Sequence, residues 1–296
     1  MIEMIEDRPT LVIYHANCAD GFSAAWCFHN DSKTYGNAYD FYPGVYGESP
    51  PDCTGRNVIL VDFSYKRAVV EEMLKTANNV ILIDHHKTAI DDLASLDHEN
   101  FYRYIDLERS GAMLAWDYLY NQGLPEDERH RPPLLLDYIQ DRDLWKFKFS
   151  ITRDISAAVF SYEYTFENWD ILMSGGQAEL LKLTVAGAAI ERKHYKDIAE
   201  LLKICARTFT IGDYNVPTAS LPYTMSSDAC HTMAKAHRDG TEFAACYWDT
   251  DTHRIFSLRS TTNGMDVSAI AATYGGGGHK HAAGFRVHRS HPLAQC

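Results

Sequence analysis

Three short apolar runs of this chain each end on side chains that can bind a metal ion. The runs are residues 11–14 before His15, residues 58–61 before Asp62, and residues 80–83 before Asp84, His85 and His86. Each run is continuous and rich in β-branched residues, a pattern typical of strands that are buried on both faces of a parallel sheet. Ligand sites of open α/β sheets lie just beyond the carboxyl ends of the strands. We therefore expect these carboxylates and imidazoles to share one crevice, where a bound cation offsets the repulsion between like charges.

The segments around these runs predict the helices that position the crevice. Residues 66–77 read as a helix that joins two of the strands in a parallel strand–helix–strand unit. Ser110 is a candidate N-cap for a helix that extends to Tyr120. A further helix is opened by the prolines at 132–133, since proline is tolerated in a first helical turn, and it leads directly into Asp141.

The pattern of the chain changes after residue 175. A long helical pattern with few helix breakers extends from residue 177 to about residue 207, and short alternating strands follow it. We predict a first domain at residues 1–175, a linker helix at 176–207 and a second domain at 208–296. The predicted fold class is α/β, with a mainly parallel sheet in the first domain and a smaller mixed α/β second domain.

The composition of the 296 residues narrows the functional classes. A net charge of −12 argues against long duplex DNA as a partner, because proteins that bind it usually present a basic surface. The seven cysteines show no paired spacing and suit a reducing compartment. Residues 1–9 lack a signal-peptide pattern, and no apolar run approaches the ~18 residues of a membrane span. We expect a soluble cytoplasmic protein with no membrane partner, and the sequence leaves its oligomeric state open, a homodimer included.

Motifs in this chain resemble those of the DHH phosphoesterase family. In chain order the matching residues are His15, Asp20 and Gly21 for the first motif, Asp62 for the second, Asp84-His85-His86 for the third, and Asp141 for the fourth. The stretch 257–285 resembles the DHHA1 substrate-binding domain that accompanies the DHH domain. Together the motifs extend over residues 11–287, so the resemblance covers nearly the whole chain.

The resemblance implies two divalent metal ions, with Mn²⁺ as the expected metal and Mg²⁺ or another ion as alternatives. Asp62 is the implied bridge, His15 a ligand of one ion, and the implied ligands of the other ion are Asp20, His85 and Asp141. Asp143 is the alternative to Asp141. Two ions roughly 3.5–4 Å apart can stabilise both the attacking and the leaving oxygen of a phosphoryl transfer.

Two further side chains of the third motif have implied catalytic roles. Asp84 is expected to orient a neighbouring histidine from outside the ligand set. His86 is expected to donate a hydrogen bond to the phosphate of the substrate. With the bridging Asp62, these residues form the expected catalytic group.

The first motif departs from the family pattern at one position. The family usually has two aspartates, two positions apart, before the glycine, and Cys18 stands where the first of them would be. A thiolate is a poor ligand for Mn²⁺. The alternatives are a weakened metal position, a ligand from Asn17 or water, a preference for a metal such as iron or zinc, and a small buried cysteine with no metal role.

The four glycines at 275–278 precede His279 and form the other distinctive sequence of the chain. Consecutive glycines can direct backbone N–H groups at an anion, so we expect an anion-binding loop, with a flexible turn as the alternative. The run follows a helix and lacks the lysine of a P-loop, which argues against a nucleotide-binding loop of that type. By resemblance, the substrate-binding residues are Arg259, Ser260, Gly276, Gly277, Gly278 and His279.

The function that these features favour is a metal-dependent phosphodiesterase. Its expected substrate is a short linear RNA or a dinucleotide such as pGpG, which it would hydrolyse to 5′-mononucleotides. The alternatives are a phosphatase acting on 3′-phosphoadenosine 5′-phosphate (pAp), a pyrophosphatase-like enzyme and a RecJ-like exonuclease. A weakly catalytic nucleotide sensor is the alternative from outside the enzymes.

Overall fold

The structure, a computed structural model, describes residues 9–237 and 243–295. Residues 1–8, the predicted strand start at Glu242, and Cys296 lie outside these ranges. The chain forms two compact units, residues 1–191 and 192–296. Each unit combines helices with a sheet, so the α/β fold class is confirmed. In the described ranges, no helix is long and apolar enough to cross a lipid bilayer.

The first unit is built on a sheet of parallel strands. The strands are β1 Thr10–His15, β2 Tyr39–Gly44, β3 Asn57–Val61, β4 Asn79–Asp84 and β5 Phe101–Ile105. They lie in the order β2-β1-β3-β4-β5, so the three predicted runs are adjacent as β1, β3 and β4. Because all three are parallel, their carboxyl ends meet at one edge of the sheet.

The central strands are buried on both faces. Ile59 and Val61 of β3 pack into the hydrophobic core on one face, whereas Val58 and Leu60 pack into the core on the other. Every residue of β3 is buried. This arrangement explains why the sequence shows a continuous apolar run and not an alternating one.

Helices cover both faces of this sheet. They are α1 Ala19–Tyr35, α2 Arg67–Leu74, α3 Lys87–Leu93, α4 Gly111–Tyr120, α5 Leu134–Asp143, α6 Thr152–Val159, α7 Phe166–Ser174 and α8 Gly176–Cys205, with a short 3₁₀ helix at Glu126–Glu128. Helices α2 and α3 pack against one face, and α1, α4, α5, α6 and α7 pack against the other. The face with more helices therefore carries the larger core.

The helix starts show which local signals the chain uses. Ser110 is the N-cap of α4, as predicted, and its hydroxyl accepts a hydrogen bond from the Met113 backbone N–H. Pro133 lies at the N-cap of α5, one position before the first helical residue.

Strand β2, which the sequence does not predict, contains Pro43 and lies at the edge of the sheet. An edge strand tolerates proline because it needs hydrogen bonds on one side only.

The second unit contains a mixed sheet and begins within α8, after Glu191. Its strands are β6 Arg207–Ile211, β7 Tyr214–Ser220, β8 Phe243–Asp249, β9 His253–Ser260, β10 Gly277–His279 and β11 Ala282–His288, and its other helices are α9 Tyr223–Ala236, α10 Val267–Thr273 and a 3₁₀ helix at Pro292–Ala294. The order is β10-β11-β9-β8-β7-β6, and β7 with β8 is the parallel pair. Helix α8 lies where the sequence predicts the linker helix.

Candidate metal centre

The predicted site residues of the first unit meet at the carboxyl edge of its sheet. His15 ends β1, Asp62 follows β3, and Asp84 ends β4. Asp62 has a φ of 54°, a left-handed conformation that is uncommon outside glycine. Strained backbone of this kind persists where the surroundings hold it, and it concentrates at functional sites. The left-handed turn places Asp62 directly after β3, at the carboxyl edge of the sheet.

The Asp62 carboxylate is the centre of the cluster. It is 1% exposed. Its Oδ1 lies 3.0 Å from His85 Nε2 and 3.8 Å from His86 Nδ1, and its Oδ2 lies 3.4 Å from His15 Nδ1. The two oxygens thus face different imidazoles, as a bridging carboxylate requires.

Three groups of potential ligands share this carboxylate, and two of them include a residue at the start of α1. In the first group, which we call the thiol position, one ligand atom each of His15, Cys18 and Asp62 lie within 4.8 Å of one another. In the second, the carboxylate position, Asp20, Asp62 and His85 meet the same limit. Asn17, the alternative to Cys18, is exposed and has a left-handed backbone with a φ of 56°. The structure thus brings Cys18 to the two ligands, and Asn17 as a ligand stays a prediction.

The structure places Asp143, and not Asp141, beside the carboxylate position. Asp143 Oδ2 lies 3.5 Å from His85 Nε2. The Asp141 carboxylate instead accepts hydrogen bonds from Lys148 N, Phe149 N and Thr152 Oγ1, at 2.8, 3.2 and 2.5 Å. Residues two apart on a helix do not face the same way, so α5 directs only one of the two aspartates at His85. We therefore include Asp143, the alternative to Asp141, in the carboxylate position, and Asp141 as a metal ligand stays an untested prediction.

Helix α4 holds Asp20 in place through its amino terminus. Asp20 is 2% exposed and accepts hydrogen bonds from Gly111 N and Ala112 N, at 2.6 and 3.2 Å. The amino end of a helix favours a carboxylate electrostatically. A Cβ at Gly111 would lie 2.4 Å from Asp62 Cβ, so only glycine allows this approach. Sequence reasoning missed Gly111, because its one local signal is the preceding N-cap.

Asp84 makes the contacts that an orienting role requires. Its Oδ1 accepts hydrogen bonds from the backbone N–H groups of His85 and His86, at 2.8 and 3.2 Å. The same oxygen lies 2.7 Å from His86 Nδ1. Asp84 also belongs with Asp62 and His86 to a third group of potential ligands within 4.8 Å. The catalytic roles of Asp84 and His86 stay predictions.

Burial and mutual charge shift the pKa values of the cluster. Burial raises the pKa of Asp20 and Asp143, and repulsion from Asp62 adds to this effect. Burial alone would raise the pKa of Asp62 too, but the imidazoles of His15, His85 and His86 outweigh it and hold that pKa well below its usual range. Burial lowers the pKa of His85, and the carboxylates of Asp143, Asp62 and Asp20 override it, which raises the value to about 10. In the absence of metal, protons therefore partly neutralise the cluster.

The chemistry of the cluster fits divalent ions. Three buried side-chain atoms, His15 Nδ1, Asp62 Oδ2 and Asp143 Oδ2, have no hydrogen-bond partner among the residues described. A buried polar atom without a partner costs about 1–3 kcal/mol, a cost that a bound cation would remove. The oxygen and imidazole donors around them are those that Mn²⁺ and Mg²⁺ accept.

The predicted substrate residues Arg259 and Ser260 lie on β9 of the second unit. The Arg259 guanidinium donates hydrogen bonds to Ser257 Oγ, Ser227 Oγ and the Leu258 carbonyl, at 3.0, 2.7 and 2.8 Å. Ser260 is 4% exposed, and its hydroxyl lies 2.8 Å from His281 Nδ1. Both side chains are therefore engaged within their own unit, and their role in substrate binding stays a prediction.

Part of the glycine run forms a strand, and its expected role in binding an anion stays a prediction. Gly277–His279 is strand β10, which pairs with β11. The backbone N–H groups of Gly275 and Gly276 donate to the carbonyls of Ala272 and Ala271. A Cβ at Gly276 would lie 2.1 Å from the Gly284 carbonyl oxygen, and one at Gly278 would lie 2.5 Å from that of Ala282. Glycine is thus needed at positions 276 and 278, where the backbone closely approaches the carbonyls of Gly284 and Ala282.

The fold of the chain is shared with a known DHH domain. No protein-family model matches the chain. An uncharacterized protein of Acanthamoeba polyphaga mimivirus is 28% identical to it over 300 residues, which cover 94% of this chain and 68% of the viral protein. The DHH domain of a protein assigned to a ribosomal-protein family matches with a TM-score of 0.55 at 12% identity, over 95% of this chain and 83% of that one. A pGpG-specific phosphodiesterase of Vibrio cholerae matches with a TM-score of 0.44 at 14% identity, over 95% and 94% of the two chains. The chain therefore has the fold of a DHH-domain protein.

Proposed function

We propose that this chain is a divalent-metal-dependent phosphodiesterase that hydrolyses short oligoribonucleotides or dinucleotides to 5′-mononucleotides. The observation that carries the proposal is the pair of overlapping ligand positions that share the buried Asp62 carboxylate. Two ions held by a common carboxylate form the arrangement that clamps a phosphoryl group during in-line displacement. The atoms of His15, Asp62 and Asp143 that have no hydrogen-bond partner among the described residues support the same proposal.

In this proposal each side chain of the centre has one task. Bound ions would act as Lewis acids that stabilise the negative charge developing on the phosphate oxygens. Asp62 would be the ligand shared by the two positions, since its two oxygens face different imidazoles. His86 is the proposed donor to a phosphate oxygen, and Asp84 positions it through the 2.7 Å contact to Nδ1.

The proposed substrate class depends on charge and on the second unit. The net charge of −12 disfavours long polyanions, whereas a short nucleotide needs only a local cationic contact. Arg259 is the proposed phosphate contact, since a guanidinium can bind two phosphate oxygens at once. Ser260, Gly276, Gly277, Gly278 and His279, by their resemblance to the DHHA1 domain, complete the proposed substrate surface.

The test is hydrolysis of a length series. The purified chain is incubated with Mn²⁺ and, separately, with Mg²⁺, against 5′-labelled ribonucleotides of two to seven units, pGpG, pAp and pyrophosphate. We expect mononucleotide release that is fastest at the shortest length and is abolished by a chelator. Cleavage of pAp alone would instead indicate a phosphomonoesterase. Tight dinucleotide binding without any hydrolysis would indicate a sensor.

A further inference from the structure

The two ligand positions of the metal centre differ in donor chemistry. The carboxylate position offers the oxygens of Asp20, Asp62 and Asp143 with the imidazole of His85. The thiol position offers the sulfur of Cys18 and the imidazole of His15 with the shared carboxylate. We propose that Cys18 Sγ is a metal ligand and that the centre binds two different metals, a thiophilic divalent ion at the thiol position and Mn²⁺ or Mg²⁺ at the carboxylate position.

The backbone holds Cys18 beside His15. Cys18 is the residue before α1, and its extended conformation, with φ −121° and ψ 131°, turns the chain from β1 into the helix. A Cβ at Gly21 would lie 2.5 Å from the His15 carbonyl oxygen, so the first turn of α1 packs directly on the end of β1. The sulfur and the imidazole are therefore brought together by the fold.

An unpartnered buried oxygen of Asp62 points to a ligand independently of the cysteine. Asp62 Oδ2 is buried and has no hydrogen-bond partner in the described part of the chain. It faces His15 Nδ1 at 3.4 Å, whereas Oδ1 of the same carboxylate faces His85 at 3.0 Å. A cation at the thiol position would satisfy Oδ2 without disturbing the Oδ1 side.

Three other cysteines of the chain have thiols that donate hydrogen bonds within the fold. Cys27, Cys53 and Cys230 each donate from sulfur to a backbone carbonyl, at 3.7, 3.3 and 3.4 Å. Cys18 has no such acceptor within the ranges that the structure describes; its neighbours are instead an imidazole and a carboxylate. Cys18 therefore differs from these three cysteines in the groups that surround its sulfur.

The donor sets predict which metal each position prefers. Thiolate ligands favour zinc, iron and cobalt over manganese and magnesium, while carboxylates favour the latter pair. When a divalent ion binds at the thiol position, one sulfur–metal bond forms, the S–H bond breaks and its proton passes to solvent. This inference rests on the proposed two-metal function and specifies which metals serve it.

The test measures sulfur–metal bonds directly in the full-length protein. Metal-free protein is titrated with Co²⁺, and the thiolate-to-cobalt charge-transfer absorption is recorded with the number of ions bound per chain. We expect a charge-transfer band that corresponds to one sulfur–metal bond per chain. This band should be absent in Cys18→Ser. Cys53→Ser is the matched control, because a serine there can keep the hydrogen bond to the Pro51 carbonyl, and it should retain the band. Circular dichroism establishes that each variant is folded.

A second variant tests the selectivity. Cys18→Asp should lose the band and increase the affinity for Mn²⁺ relative to Zn²⁺ by at least tenfold, since an oxygen donor replaces sulfur. X-ray absorption spectroscopy of the zinc-loaded wild-type protein should show one sulfur atom bound to zinc. This measurement tests the inference even if Cys18→Ser does not fold.

The outcomes separate this inference from the proposed function. The mixed-metal inference alone would be overturned if the chain bound Co²⁺ stoichiometrically and hydrolysed phosphodiesters but showed no thiolate-to-cobalt band. A band that persists in Cys18→Ser would overturn it as well. Failure to bind ions together with failure to hydrolyse any substrate would overturn both.

Discussion

The two units of the chain use polar side chains in opposite ways. In the first unit, His15, Asp62 and Asp143 each present a buried atom with no hydrogen-bond partner among the described residues. In the second unit, Arg259 donates to two serine hydroxyls and a carbonyl, and Ser260 lies beside His281. The first arrangement has unused capacity to bind an ion, whereas the second is already stabilised by its own contacts.

The same contrast appears between two aspartates of one helix. Asp141 accepts three hydrogen bonds from the segment after α5 and stabilises that turn. Asp143 lies beside His85 and leaves one buried oxygen without a partner among the described residues. Because unsatisfied buried groups are costly, their concentration at one point is better evidence for a ligand site than the residue types alone.

The largest effect is expected for Asp62→Asn, which removes the charge shared by the two ligand positions. Asparagine keeps the shape of the side chain and tolerates the positive φ, so the fold should persist. We expect hydrolysis to fall by at least roughly 10³-fold, together with the loss of one or both bound ions. Kinetics and metal analysis measure both effects. Asp52→Asn, at an exposed turn, is the control; equal activity in the two variants would contradict the central role of Asp62.

Gly111→Ala tests whether the packing of α4 on Asp62 matters for activity. The added Cβ would lie 2.4 Å from Asp62 Cβ, so the helix or the carboxylate must shift. We expect a loss of about 1–3 kcal/mol in unfolding free energy and about a 10²-fold loss of activity from misplaced groups. Thermal unfolding and kinetics give the two quantities.

A matched control for Gly111→Ala removes a helix cap that belongs to neither ligand position. Thr165 is the N-cap of α7 and accepts a hydrogen bond from Asn168 N. Thr165→Ala should cost about 1 kcal/mol and leave the activity per folded molecule unchanged. If both variants lose activity in proportion to stability, Gly111 has no specific role at the centre.

Substitution of the two aspartates of α5 is expected to have a smaller effect. It distinguishes a metal ligand from a residue with a structural role. Asp143→Asn should weaken metal binding by roughly 10–100-fold with little change in metal-free stability. Asp141→Asn should lower the unfolding free energy by about 1–3 kcal/mol, because the amide can no longer accept all three hydrogen bonds. Calorimetric metal titration and denaturant unfolding of both variants measure the difference. If Asp141→Asn instead weakened metal binding and Asp143→Asn lowered stability, Asp141 would be the ligand.

The sequence predicts the centre where its signals are local. His15, Asp62 and His85 are found because each follows an apolar run, and the burial of β3 on both faces explains why that run is continuous. The order of parallel strands then places the residues at one edge of the sheet. These features depend on neighbouring residues and on general rules of parallel sheets.

The features that the sequence does not predict depend on contacts between distant parts of the chain. The choice of Asp143 over Asp141 follows from the rotation of α5 and from hydrogen bonds to residues seven to eleven positions later. Gly111 is required by Asp62, 49 positions earlier in the sequence. The glycines of β10 are set by their pairing with β11. A local pattern contains none of this information, so the sequence does not predict that part of the glycine run forms strand β10.

The smallest effect is expected in the second unit, where Arg259→Lys should raise KM about tenfold and change kcat less. Lysine keeps the charge but cannot bind two phosphate oxygens at once. Arg254, five positions earlier on β9, is the matched control, because its guanidinium bonds both oxygens of Asp249 and the Leu293 carbonyl. Arg254→Lys should lower thermal stability and leave KM unchanged. If Arg259→Lys also changes stability alone, the contacts of Arg259 with Ser227 and Ser257 are purely structural, and the substrate contact lies elsewhere.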